Sequence, residues 1–177
     1  NEMNSILIHY SPTFKYSLGY RAEYSKAKEY SIHSLNYNQL IKRWNKKHSQ
    51  ANLYTKNGIG ILHTDYANYE SKFKYAGYIG ISSDWETRRY FTSYENRYFH
   101  SGKINNYFSQ NIKIGVAPYI GNYGEFHTWI MLTLDHIPEA KNTMTYGPLL
   151  RFFYKTHLVE LGTNNYNQLL FNWTTRF

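Results

Sequence analysis

Cysteine is absent from this 177-residue chain, which excludes disulfides, zinc ribbons and thiol nucleophiles. Acids are few. Twelve Asp and Glu stand against 20 Lys and Arg, giving a formal net charge of +8 and a pI near 9.4. No apolar run approaches the ~18 residues of a membrane-crossing helix, and no signal-peptide pattern opens the chain. Those absences predict a protein that is soluble or part of an assembly. The 8 histidines are scattered without HExxH or a comparable ligand spacing, so no metal site is expected. Internal repeats and low-complexity blocks are also missing.

A field of positive sign favours polyanions: nucleic acid first, an acidic membrane surface or protein second. Aromatic residues make up 19% of the chain, 20 of them tyrosine. Tyrosine stacks on bases, donates to phosphates or fills boundary positions with its hydroxyl in water. The joint excess of Tyr, Asn, Lys and Ile fits translation from an AT-rich genome, such as an organelle's or a phage's.

Periodicity and turn signals predict an α/β fold. Asn36–His48 reads as a short basic helix with Leu40, Ile41 and Trp44 on one side and Lys42, Arg43, Lys46 and Lys47 elsewhere. Asn57–Gly58 is a turn signal before a strand at Ile59–His63. Asp65–Ser71 reads as a loop or hairpin tip, and Tyr75–Ile81 as a second strand. Ser83 with Glu86 forms a capping-box pattern opening a helix over Asp84–Phe99. A helix reaching about Asn111 starts at Asn105, and Gly121–Gly124 is a turn. Alternation over Phe126–Leu134 predicts a strand. Pro148 and Gly162 bracket a last helix with a broad apolar stripe. The expected architecture is a three-stranded sheet flanked by helices. Its domain covers 51–167, preceded by a basic N-terminal arm at 1–50 and followed by a tail at 168–177.

The stretch Ala76–Arg89, AGYIGISSDWETRR, carries a Tyr-Ile-Gly strand end with Arg88 ten residues beyond Tyr78. It resembles the second half of the GIY-YIG nuclease signature. Gly58-Ile59 match the first two letters of the opening motif. Tyr123-Gly124-Glu125-Phe126, Trp129–Leu134, Ile137-Pro138, the Leu149–Leu161 segment and Tyr166-Asn167 then follow in the family's order. The resemblance, to phage and intron-encoded members, covers about Asn57–Asn167. It implies that Tyr78, Arg88 and Asn167 descend from catalytic positions. It also implies losses: Gly60 stands where the family has tyrosine, Thr92 where histidine is frequent, and Tyr154 near the metal-binding glutamate. A phenol is a poor ligand for a hard cation, so no magnesium anchor is expected.

The expected function is therefore nucleic-acid binding or scaffolding on a degenerate nuclease domain rather than catalysis. Tyr78, Arg88, Arg89, Lys42, Arg43, Lys46 and Lys47 would carry the binding, with RNA favoured over DNA and no cofactor. The setting implied is a subunit of an organellar, mitochondrial ribosome, with neighbouring ribosomal proteins as partners and no membrane. One alternative is an active Mg-dependent endonuclease of phage or intron origin, at work in the cytoplasm of an infected cell. The other is a protein-binding subunit of a complex.

Overall fold

The structure, a computed structural model, describes residues 3–26, 29–64, 73–122 and 124–175. Those residues hold eleven β-strands and no helix. In chain order they are β1 (Met3–Thr13), β2 (Tyr16–Ser25), β3 (Tyr30–Lys46), β4 (Ser49–Thr64), β5 (Phe73–Thr87), β6 (Tyr90–His100), β7 (Asn106–Val116), β8 (His127–His136), β9 (Met144–Tyr154), β10 (His157–Thr163) and β11 (Leu169–Thr175). Each strand is hydrogen-bonded to its neighbours in sequence, from β1 to β11, in an antiparallel up-and-down meander.

The expected α/β sheet with flanking helices is overturned. Asn36–His48 is most of β3 and its turn, Asp84–Phe99 is the end of β5 with β6, and Asn105–Asn111 is the last residue of a connection with the first half of β7. Pro148 and Gly162 lie inside β9 and β10, joined by the turn at Lys155 and Thr156. The physical reason is that a wide apolar stripe looks helical when only its spacing is counted. Here the β-branched and aromatic residues that fill it favour a pleated strand. The strands expected at Ile59–His63 and Tyr75–Ile81 lie within β4 and β5. The expected Asp65–Ser71 loop falls outside the described residues.

Two compact units share the meander. The first comprises Asn1–Lys42, Leu53–Ser82 and Asn96–Phe108; its apolar cluster is Tyr30, Ile32, Leu62, Ala76, Tyr78 and Phe99. The second comprises Arg43–Asn52, Ser83–Glu95 and Ser109–Phe177, where Met131 and Leu149 pair directly across β8 and β9. The described residues of 1–50, expected as an arm, hold β1, β2, β3 and the first residues of β4.

Gly60 is required by close approach in the first unit. A Cβ there would meet the backbone of His33 and Ser34 on the neighbouring strand. The position where the nuclease family carries tyrosine thus has no room for any side chain. Gly60→Ala is expected to cost about 1–3 kcal/mol through overpacking, read from equilibrium unfolding against the parent chain.

Candidate functional surfaces of the sheet

A strand sends successive side chains to opposite faces, and here the two faces differ in an unusual direction. In the first unit, Glu23 is 3% exposed, and Ser25, Ser34, Asn36 and Thr64 are buried on the same face. The opposite face carries Ile6, Ile8 and Tyr10 on β1, Leu18, Tyr20 and Tyr24 on β2, and Leu35 and Tyr37 on β3, all exposed. Register joins these into rows: Ile8 opposite Tyr20 opposite Leu35, and Tyr10 opposite Leu18 opposite Tyr37.

The second unit repeats the pattern. Val116, Ile130, Leu150, Leu161 and Phe171 are consecutive cross-strand partners over β7 to β11. Every one of the five is exposed. At ~4.8 Å between strands, that row alone is ~20 Å of continuous apolar surface. No Asp, Glu, Lys or Arg falls on this face from Ile112 on β7 through Trp173 on β11. Among the described residues, thirty-nine large apolar side chains stand exposed and nine apolar residues are buried, against eleven buried polar or charged ones. A water-soluble sheet places its polar residues the other way round.

Each unit buries one carboxylate between two cations. Arg97 donates through both terminal nitrogens to both oxygens of Glu23 at 3.1 Å, and Arg21 reaches Glu23 at 2.8 Å. The Arg97 guanidinium also lies 4.0 Å from the Tyr78 ring centroid and 5.6 Å from that of Phe99. In the second unit Glu160 accepts from Arg151 Nη2 at 2.7 Å and Nε at 2.9 Å, from Lys113 at 3.2 Å and from Asn172 at 3.1 Å. Arg151 caps the Phe91 ring at 4.5 Å. A third polar chain runs from Arg43 Nε to Asn52 and on to Asp84, at 2.7 Å each. Bidentate, charge-assisted contacts of this kind satisfy buried charges that would otherwise be costly to desolvate.

The residues expected to form a phosphate groove are dispersed. Tyr78 is buried in β5, stacked against Arg97. Arg88 lies in the turn beyond that strand and donates to the Gly121 carbonyl at 3.1 Å. Ten residues of extended chain separate the two, ~33 Å at the rise of a strand. Arg89 is exposed in the same turn, its carbonyl accepting from Ala117. Thr92 is half-buried on β6, and Tyr154 is exposed at the end of β9 beside Lys155. Asn167 has φ of 58° and donates its N–H to Asn164 in the turn before β11, a conformation asparagine tolerates better than most residues. Lys42 and Arg43 are on β3, with Lys46 at its end and Lys47 in the turn. Outside the strands, Glu125 accepts from the Asn122 N–H, which holds its carboxyl below the usual range.

Sequence reasoning passed over Arg21, Glu23, Arg97, Lys113, Arg151 and Glu160 as partners in buried ion pairs. A signal did exist: single charges flanked by apolar neighbours, as in Ala22-Glu23-Tyr24, Ile112-Lys113-Ile114, Leu150-Arg151-Phe152 and Val159-Glu160-Leu161. Among the described residues, no group of three or more His, Asp or Glu is gathered for a metal ion. No family model, curated protein or solved structure matches the chain.

Removing Glu160 leaves Lys113 and Arg151 facing each other without a counter-charge. Glu160→Gln is expected to lower stability by ~3–5 kcal/mol, the cost of breaking a buried ion cluster from one side. Lys113 is a quarter exposed and Glu160 keeps Arg151 and Asn172, so Lys113→Met is expected to cost roughly 1 kcal/mol. Denaturant unfolding of both variants measures the asymmetry.

Proposed function

We propose that this chain forms part of the wall of a transmembrane β-barrel, with its apolar face against lipid and its charged face lining the interior. The observation that carries the reading is the inverted polarity of the sheet: apolar rows outward without a charge, and clamped carboxylates inward. An apolar outer face with a polar interior, alternating at period two along antiparallel strands, is the pattern of a membrane-spanning barrel. In hydrocarbon every backbone polar group needs a protein partner, and strands satisfy this through their neighbours. No helix of the described residues is long and apolar enough to cross a membrane, and that limit does not apply to strands.

Dimensions support the reading. β9 is apolar outward along its whole length, at Met144, Tyr146, Pro148, Leu150, Phe152 and Tyr154. Ten steps of ~3.3 Å at a tilt of ~40° give ~25 Å, the height of the apolar band of such a barrel. Tyr146 near one end and Tyr154 at the other suit aromatic girdles, since a phenol is apolar in its body and polar at its tip.

The connections also differ by class. Those from odd to even strands are two residues long at 14–15, 47–48, 88–89 and 155–156, with 117–126 longer. Those from even to odd strands are longer at 26–29, 101–105, 137–143 and 164–168. Short turns on one side and longer loops on the other are a further property of outer-membrane barrels, and they orient this chain with its short turns facing inward. Nucleic-acid binding, by contrast, keeps only the net charge of +8 in its support, because the groove that would present Tyr78 and Arg88 together has no counterpart on β5.

The decisive experiment places a charge on the apolar face. In a bilayer, Ile130→Arg is expected to cost ~2–4 kcal/mol and Tyr166→Arg, in a turn, ~0–1 kcal/mol. A half-exposed Ile130 facing water would tolerate the change within ~0.5 kcal/mol. Unfolding in lipid vesicles and flotation with them distinguish the two cases. A monodisperse, folded chain in detergent-free buffer with a neutral Ile130→Arg sinks the proposal.

A further inference from the structure

The first unit carries a groove of about 500 Å³ on its apolar face, walled by Tyr20, His33, Leu35, Ile59, Ile61 and Tyr75. Its walls belong to four strands, β2 to β5, and the next position beyond Tyr75 on the same face of β5 is Gly77, which has no side chain to fill the space. Tyr75 is 89% exposed and Ile59 74%, so the groove is open along the surface rather than enclosed.

One polar couple interrupts this apolar lining. The Tyr20 hydroxyl and His33 Nδ1 are hydrogen-bonded, with the two rings stacked at 6.1 Å. If the phenol donates, His33 keeps an Nε2–H; if the ring donates, the phenol keeps its O–H. In either tautomer one of these two groove-lining residues keeps a polar hydrogen that their mutual bond does not use. A donor facing hydrocarbon without an acceptor costs several kcal/mol. The groove therefore calls for an occupant that is mainly hydrocarbon but brings one oxygen acceptor.

We propose that the groove seats a single ester-linked bilayer lipid, its acyl chain along Leu35, Ile59, Ile61 and Tyr75 and its ester carbonyl accepting from the Tyr20–His33 couple. This rests on the membrane reading above and names a ligand for that face. His33 lies three residues into β3, ~10 Å of strand from its start, which suits the depth at which acyl chains meet their ester groups. The apolar rows of β1 to β3 run without a break into the groove, so a lipid already on that face reaches it laterally.

The test uses the full chain in phospholipid vesicles doped with an ester-linked phospholipid bearing a photoactivatable group on its acyl chain. Adduct sites are mapped by mass spectrometry. Labelling is expected to concentrate on Leu35, Ile59, Ile61 and Tyr75 over Ile130, an apolar-face residue of the other unit. The double variant Tyr20→Phe/His33→Phe removes both donors of the couple, and is expected to lower groove labelling about five-fold, the effect of one net hydrogen bond. Ile61→Trp fills the groove and is expected to lower it at least as far. An ether-linked probe, lacking the carbonyl, is expected to label the groove about five-fold less. Even labelling across the apolar face, or equal labelling by the ether probe, overturns the lipid site while leaving the membrane reading intact. A chain that does not float with the vesicles overturns the membrane reading itself.

Discussion

The structure depends on one constraint: strict alternation between two faces, with charge confined to one of them. A pleated strand enforces the period mechanically, because a slip of one residue moves every side chain to the other face. Here such a slip would move Glu160 and Arg151 into the apolar row and Leu161 and Leu150 into the charged one. Both errors are costly whichever solvent lies outside. The register of β9 against β10 is accordingly held twice, by pattern and by charge.

The buried carboxylates extend that logic. Glu23 and Glu160 each sit in a separate compact unit, and each is held by a bidentate or two-point arginine with a second cation alongside. Arginine suits the place because its planar fork matches a carboxylate and its faces pack on aromatic rings. Arg97 rests on Tyr78, and Arg151 on Phe91. Tyr78, the residue the family resemblance singles out for phosphate chemistry, serves as a platform for a structural guanidinium. The aromatic body shields the ion pair, and the ion pair fixes the strands that carry the aromatics.

Part of this was legible beforehand. The strand around Phe126–Leu134 was visible in its alternation, and so were Ile59–His63 and Tyr75–Ile81 inside longer strands. What misled was the assumption that apolar residues mark an interior. Leu149, Phe152, Phe153, Leu158 and Leu161 make a helical stripe only if all five share one side. In the sheet, Leu149, Phe153 and Leu158 lie on the charged face and Phe152 and Leu161 on the apolar one. Leu40, Ile41 and Trp44 deceived in the same way on β3. Had alternation been counted with lone charges treated as the interior marker, Ile112-Lys113-Ile114 and Val159-Glu160-Leu161 would have given the strand period and its polarity together. The motif YIG carried no such information, because three residues at the middle of a strand are compatible with many sheets.

The net charge finds a different explanation in this arrangement. The apolar rows contain no cations, and the interior arginines and lysine are matched to carboxylates. Much of the excess sits in the connections from odd to even strands, at Lys15, Lys47, Arg88, Arg89 and Lys155. Glu125 is the one acid in those five connections. The opposite class is mixed: 26–29 holds Lys26, Lys28 and Glu29, 101–105 holds Lys103, and 137–143 holds Glu139 and Lys141. All five basic residues have an even tighter limit, since a two-residue turn such as 14–15, 47–48, 88–89 or 155–156 cannot carry its side chains far from the strand ends. On the membrane reading those cations lie at the level of lipid phosphates, where each basic residue near an anionic surface is worth ~1 kcal/mol. A charge of +8 then needs no nucleic acid to explain it. On that reading it is the electrostatic edge of an apolar wall, set at the level of the lipid phosphates.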